Sequence, residues 1–121
     1  MSDPNILILY VDNPAASAAF YKSLLERAPL ESSPNFVMFK LTDGVMLGLW
    51  ARHDVEPATP VTGGGTEMVF TAADVDAVNA RHADWSKRGL KIAQAPTQMD
   101  FGYTFTALDP DGHRLRVFVP G

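Results

Sequence analysis

The sequence predicts an α+β fold in which two βαβββ repeats form a curved mixed sheet, and three observations predict it. The order strand, helix, strand, strand, strand can be read twice, within about 60 residues each time. A segment rich in Pro, Thr and Gly, residues 56–65, separates the two copies. Each copy holds one helix with an apolar stripe, which covers one face of its strands and leaves the other face open. We therefore expect one domain over 1–121, with repeat one at 4–55 and repeat two at 66–121.

The first repeat opens on a continuous apolar run, residues 6–11, which indicates a strand covered on both faces. Asn13 is a natural N-cap and Pro14 a natural first helical residue, because proline lacks only an N–H that would be unpaired there. The helix is expected to run to about Arg27 and to stop at Pro29. Its apolar stripe is expected to consist of residues three and four positions apart: Ala16, Ala19, Phe20, Ser23 and Leu24.

The rest of the first repeat reads as a short extended stretch followed by a hairpin. Two strand-like runs, 36–41 and 45–50, are joined by Thr42-Asp43-Gly44. This is a tight hairpin signal, since glycine accepts a positive φ without steric cost. From Arg52 to Gly65 no regular element is expected.

The second repeat follows the same order. Residues 67–71 read as a strand, and Asp74 is the expected N-cap of the next helix. Gly89 is expected to follow its end, because glycine suits the left-handed position there. One side of this helix carries four residues: Val75, Val78, His82 and Trp85. Three strand-like runs complete the repeat: 90–93, 103–108 and 114–119, the last two joined by Asp109-Pro110-Asp111-Gly112.

Composition and charge narrow the possible partners. Fourteen acidic against ten basic side chains give a net charge of −4, and the basic residues are scattered, so a nucleic-acid partner is not expected. The first apolar run is too short to span a membrane, and no basic residue precedes it. The chain has no cysteine, which rules out disulfides, thiolate metal sites and a cysteine nucleophile. We therefore expect a cytoplasmic protein without a membrane partner.

Three features together carry a resemblance to a known family. They are the passage Tyr10-Val11-Asp12-Asn13 leading to Phe20-Tyr21, the repeat itself, and Leu108-Asp109-Pro110-Asp111-Gly112 before a final apolar strand. On these features the chain resembles the vicinal-oxygen-chelate superfamily, which holds glyoxalase I, extradiol dioxygenases and antibiotic-binding resistance proteins. The resemblance covers nearly the whole chain. It implies a glyoxalase-like fold and a homodimer with paired or swapped repeats.

The resemblance also implies where a metal would be bound. Enzymes of the superfamily resemble one another in placing four ligands, usually His and Glu, on the first and last strands of each repeat. The matching positions here are Ile6, Gly48 (or Trp50 if the register slips by two), Glu67 and Arg116. An arginine offers no lone pair and would repel a cation, so we expect no metal and no other cofactor. We predict instead an ion pair between Glu67 and Arg116, the alternative being two solvated charges at a strand edge.

An open face that has lost these ligands would be apolar and aromatic, which favours a flat hydrophobic solute. Within the superfamily the chain looks most like the small antibiotic-binding resistance proteins of the phenazine or mitomycin type, a likeness carried by 45–50 and 100–103. Such relatives place an aromatic ring against the planar part of the ligand, which points to Trp50 and Phe101. The candidate ligand-binding residues are Trp50, Phe101, Gly48, Met46, Phe39, Met38, Met99, Tyr103, Ile6, Glu67 and Arg116.

The predicted function is therefore metal-free binding and sequestration of a planar aromatic small molecule, such as an antibiotic, by a resistance protein with no catalytic residues. Two alternatives remain open. One is a metal-dependent lyase, isomerase or dioxygenase of the glyoxalase type with atypical ligands, and the other is a non-catalytic interaction module. No Gly-x-Ser-x-Gly elbow or phosphate-binding loop is found in the sequence.

Overall fold

The computed structural model describes residues 3–121, which divide between Gly63 and Gly64 into two compact modules. The first module contains β1 (Ile6–Val11), α1 (Pro14–Leu25), β2 (Glu31–Ser33), β3 (Phe36–Thr42), β4 (Val45–Ala51) and a 3₁₀ turn (Arg52–Asp54). The second contains β5 (Glu67–Thr71), α2 (Val75–Lys87), β6 (Lys91–Met99), β7 (Gly102–Leu108) and β8 (Arg114–Pro120). The 3₁₀ turn lies where the sequence predicts no regular element. In the described part of the chain neither helix is long and apolar enough to cross a membrane.

Each module forms its own four-stranded mixed sheet. The strand order is β1-β4-β3-β2 in the first module and β5-β8-β7-β6 in the second. In both, the first strand pairs in parallel with the last and the remaining pairs are antiparallel. This confirms the predicted α+β class with two βαβββ repeats.

Helix α1 begins as predicted but packs through a different stripe. Its N-cap Asn13 accepts a hydrogen bond from the backbone N–H of Ala16 at 3.1 Å. Tyr21 and Ser17 are buried, as is Pro14. The predicted stripe is wrong for three members, which are exposed: Ala16, Ala19 and Ser23. Small residues occur on both sides of this helix, so spacing alone permits two stripes, and the large ring of Tyr21 selects one.

The helix also ends earlier than predicted. Its last residue is Leu25, two positions before Arg27, because Glu26 adopts a left-handed conformation with φ 53°. The backbone N–H of Glu26 bonds to the carbonyl of Lys22, which closes the last turn. Pro29 therefore lies beyond the end and does not cause it.

Strand β1 has the predicted bounds but is not covered on both faces. Ile6, Leu7 and Ile8 are 49%, 49% and 44% exposed in the chain. The strand is the terminal strand of its sheet, and among residues 3–121 it pairs only with β4. A continuous apolar run thus predicted the strand correctly and its burial wrongly.

Helix α2 and the strands of its module form the second core. Asp74 caps the helix by accepting a hydrogen bond from the N–H of Ala77 at 2.7 Å. Trp85 is 2% exposed and meets the rings of Phe70 and Phe105 edge to face. Val75 was predicted to share this side of the helix, but it is exposed at the first turn.

Strand β6 is longer than the predicted run at 90–93, since it extends from Lys91 to Met99 through Pro96. Its pairing with β7 shifts register between Ile92 and Gln94 and again between Gln94 and Thr97. Proline has no N–H to donate and is tolerated on an edge strand or at an irregularity, and both conditions hold here.

Candidate functional site

The face of the second sheet that lies away from α2 carries the charged side chains. Side chains alternate along a strand, so those of β8 that flank buried Leu115 and Val117 point away from the helix. Their cross-strand neighbours share that side. We call this surface the polar face. Its polar members include Glu67, Gln94, Thr104, Thr106, Arg114 and Arg116, and the exposed apolar side chain of Val69 lies beside Arg116.

Glu67 and Arg116 form the predicted ion pair at the centre of the polar face. Arg116 Nε donates to Glu67 Oε1 at 2.8 Å, and Nη2 donates to Oε2 at 2.9 Å. Nη1 donates to Thr104 Oγ1 at 3.1 Å and to Gln94 Oε1 at 3.2 Å. The two charged side chains are 15% (Arg116) and 29% (Glu67) exposed, so this is a partly desolvated, bidentate pair.

The pair shifts the ionisation of both groups. The hydrogen bonds from Arg116 are the main cause that lowers the pKa of Glu67, and the charges of Arg116 and Arg114 lower it further against the opposing effect of burial. The hydrogen bond to Glu67 raises the pKa of Arg116, again against burial. Both groups are therefore charged at neutral pH.

The divalent metal implied by the resemblance does not fit this donor set. Arg116 has no lone pair and its guanidinium is fixed by four hydrogen bonds. In the first module, Ile8 and Gly48 are paired neighbours on β1 and β4, and Ile6 is exposed near the start of β1. None of these side chains can ligate. Among residues 3–121, no group of three or more His, Asp or Glu side chains could hold a metal ion.

A cavity of about 370 Å³ opens on the polar face. Its size lies within the range of about 300–1,000 Å³ that is typical of ligand pockets. Two of the lining residues are hydrogen-bonded to each other, since Gln94 Nε2 donates to Met99 Sδ at 3.3 Å. The lining residues are Ala93, Gln94, Met99, Thr106, Arg114 and Arg116.

Phe101 lies beside this cavity, in the turn between β6 and β7. Its ring is 46% exposed and meets the ring of Phe118 edge to face at 5.9 Å. The Cζ atom of Arg116 lies 5.6 Å from the centre of the Phe101 ring. The structure thus brings together four predicted site residues of the second module: Glu67, Met99, Phe101 and Arg116.

In the first module, the sheet face away from α1 is apolar and aromatic. The Trp50 and Tyr10 rings meet edge to face at 6.3 Å. Phe36 lies over Gly48, where a Cβ would stand 2.9 Å from Phe36 Cζ. We call this surface the apolar face. Alternation with the register of β1, β3 and β4 assigns to it Ile6, Ile8, Tyr10, Phe36, Met38, Met46, Gly48 and Trp50, with the exposed Lys40 opposite Met46 at its edge.

Two predicted ligand contacts are corrected by the structure. Phe39 is completely buried on the α1 side of β3. Tyr103 lies on the α2 side of β7, where its hydroxyl donates to Asn79 Oδ1 at 2.8 Å. Neighbouring residues along a strand point to opposite faces of the sheet. A site predicted from proximity in the sequence alone therefore includes residues that lie on the wrong face.

Sequence reasoning missed several members of both faces. Phe36 and Arg114 could have been found, because each lies an even number of positions along its strand from a predicted site residue. Gln94 could not, since its place opposite Thr106 depends on the two register shifts in β6.

Comparisons with known proteins identify the fold and the family. The sequence model of the Glyoxalase/Bleomycin resistance protein/Dioxygenase superfamily matches residues 4–117. The phenazine antibiotic resistance protein EhpR of Enterobacter agglomerans is 28% identical over 116 residues, which cover 94% of this chain and 89% of that protein. The solution structure of protein ATC0852 from Agrobacterium tumefaciens is 52% identical, with a TM-score of 0.91 over 100% of this chain and 99% of that one. A glyoxalase-related enzyme from Fulvimarina pelagi, 18% identical, shares the fold with a TM-score of 0.85 over 98% of this chain and 88% of its own.

Proposed function

The chain belongs to the Glyoxalase/Bleomycin resistance protein/Dioxygenase superfamily, and from this premise we propose that it binds and sequesters a planar aromatic antibiotic without a metal and without altering it. The observation that carries the proposal is the Glu67–Arg116 pair, which puts a guanidinium at a position where the superfamily's enzymes are expected to have a metal ligand. The similarity to a phenazine antibiotic resistance protein supports a phenazine-like ring system as the ligand class.

The chemistry of the two faces supports a flat ligand. The apolar face offers an aromatic ring at Trp50, and Phe101 offers one beside the cavity. Each ring contact contributes about 0.5–1.5 kcal/mol beyond area burial, and burying about 200 Å² of ligand contributes about 5 kcal/mol. Before the entropic cost of association these contributions reach about 8 kcal/mol, which corresponds to micromolar affinity and is the upper limit that we expect.

Calorimetric titration of the purified protein with phenazine tests the proposal, together with elemental analysis of the same sample. We expect saturable micromolar binding, recovery of unchanged phenazine and no stoichiometric metal. Absence of binding to phenazine and to other tricyclic aromatics would contradict it. Stoichiometric metal with chemical conversion of a substrate would instead support the enzyme alternative.

Phe101→Ala and Trp50→Ala are each expected to weaken phenazine binding about tenfold, because each removes one ring contact and its buried area. Calorimetry is the appropriate measurement. Trp50 is also a fluorophore, so loss of quenching in Trp50→Ala would not distinguish a lost contact from a lost reporter.

Val75→Ala is the matched control for Phe101→Ala, since Val75 is equally exposed at 46% but lies on α2. Its phenazine affinity is expected to equal that of the unmodified chain. If all three variants bind equally well, neither ring contacts the ligand and the assignment of the two faces is wrong.

A homodimer with two equivalent pockets near the interface is part of the same proposal. Terminal strand β1 exposes Ile6, Leu7 and Ile8, and an apolar sheet edge of this kind favours pairing with another chain. Light scattering is expected to give about twice the chain mass of 13.2 kDa at micromolar concentration.

Leu7→Lys is expected to shift this equilibrium toward the monomer, because a charge placed on the edge strand must lose its hydration when the edge is covered. Leu7 is chosen because its side chain points to the opposite side of β1 from Ile6 and Ile8, so the substitution leaves the residues of the apolar face unchanged. Leu30→Lys adds the same charge at a residue that is 57% exposed outside the strands, and it is expected to remain dimeric. A monomeric unmodified chain, or a dimeric Leu7→Lys, would contradict this interface.

A further inference from the structure

The cavity on the polar face has an excess of positive charge. Its lining includes Arg114 and Arg116 and no carboxylate. Glu67 neutralises one of these guanidiniums through both of its oxygens. Two arginines and one glutamate leave one formal positive charge at the cavity, in a chain whose net charge is −4.

Arg114 supplies this excess charge. Arg116 is held by four hydrogen bonds, whereas the Arg114 side chain makes no hydrogen bond to any residue in 3–121. Arg114 is exposed at the cavity and able to bind a ligand.

We propose that the ligand is a planar aromatic carboxylate and that Arg114 binds its carboxylate group, an inference that rests on the proposed function. A guanidinium presents two parallel N–H donors that match the two oxygens of a carboxylate. Arg114 and Arg116 are two residues apart, about 6.6 Å along the strand, so a fused ring lying against Phe101 and Arg116 brings an acidic substituent within reach of Arg114. In this proposal Arg116 lines the cavity without binding the carboxylate, and Arg114 determines the preference for a ligand that carries one.

The test compares two ligands that share a ring system and differ in charge. Phenazine-2-carboxylate and its neutral carboxamide are titrated into the full chain at pH 7.5 by calorimetry. The unmodified chain is expected to bind the carboxylate about tenfold more tightly, since hydrogen bonds to charged groups are the stronger kind. In Arg114→Gln the preference is expected to vanish, with the carboxamide affinity unchanged.

Lys87→Gln is the control, because it removes one positive charge from α2, on the other side of the sheet. It is expected to keep the tenfold preference, and circular dichroism checks that each variant is folded. Equal affinity of the unmodified chain for both ligands overturns the inference and leaves the proposed function standing. A preference that survives in Arg114→Gln, or that Lys87→Gln also abolishes, overturns it as well. If neither ligand binds but phenazine does, the inference is overturned alone; if phenazine and other tricyclic aromatics also fail to bind, the proposed function fails with it.

Discussion

Glu67→Gln is expected to lower the free energy of unfolding by about 2 kcal/mol at pH 7, between the values typical of exposed and buried ion pairs. The substitution keeps the size of the side chain but removes the charge that receives two hydrogen bonds from Arg116. The Arg116 side chain is only 15% exposed, so its charge is left partly desolvated and without its counter-ion. Urea denaturation followed by circular dichroism measures the difference.

The destabilisation should depend on pH in a defined direction. The folded chain lowers the pKa of Glu67 below its ordinary value of 4.5. The carboxylate therefore stabilises the fold fully above the pKa of the unfolded chain, and this contribution is lost as the pH falls through the lowered pKa of the folded chain. The gap between the unmodified chain and Glu67→Gln should stay constant from pH 7 to about 5 and narrow at lower pH.

Glu31→Gln is a suitable control, because Glu31 is exposed on the terminal strand β2. A surface substitution of this kind is expected to change stability by less than about 0.5 kcal/mol. If Glu67→Gln and Glu31→Gln are equally stable at pH 7, the Glu67–Arg116 pair contributes nothing to the fold.

Trp85→Ala is expected to cost about 3–5 kcal/mol, the largest effect predicted for this chain. The side chain is 2% exposed and meets Phe70 at 5.6 Å and Phe105 at 5.5 Å, so its removal leaves a cavity and breaks two edge-to-face contacts. Thermal unfolding followed by circular dichroism is the measurement, since the substitution also removes a fluorophore.

Trp50→Ala is the matched comparison for Trp85→Ala. Trp50 is only partly buried and makes one ring contact, with Tyr10. We expect Trp50→Ala to cost much less stability, while it weakens ligand binding. Comparable destabilisation by the two substitutions would mean that Trp50 belongs to the core and not to a ligand surface.

Local patterns in the sequence predict most of the fold. Asn13 with Pro14, Asp74, and the hairpin at Gly44 each act within a few residues, and all of them are found where the sequence places them. The extra residues of β6 could not be predicted, because a strand that passes through Pro96 depends on register shifts against its partner. The burial of β1 depends on its position at the end of the sheet, which its own residues do not encode.

The candidate site was predicted less completely than the fold. Arg116 could be placed by counting four residues from Gly112. The register of β5 and β8 pairs Glu67 with Arg114, so the ion pair between Glu67 and Arg116 is a diagonal contact between neighbouring strands. Phe39 and Tyr103 are predicted ligand contacts but lie on the helix-covered sides of their sheets, because the side on which a residue lies alternates along a strand and depends on the exact register. Arg114 has the same spacing signal as Arg116, but only the cavity shows that it is available to a ligand.

The packing of Phe36 over Gly48 links the residues that can occupy these two positions. Any side chain at position 48, including the histidine or glutamate that chelation would require, brings a Cβ to 2.9 Å from Phe36 Cζ and so displaces that ring. A side chain at position 48 is therefore accommodated only if the Phe36 ring moves, so we expect replacements at Gly48 and Phe36 to be coupled.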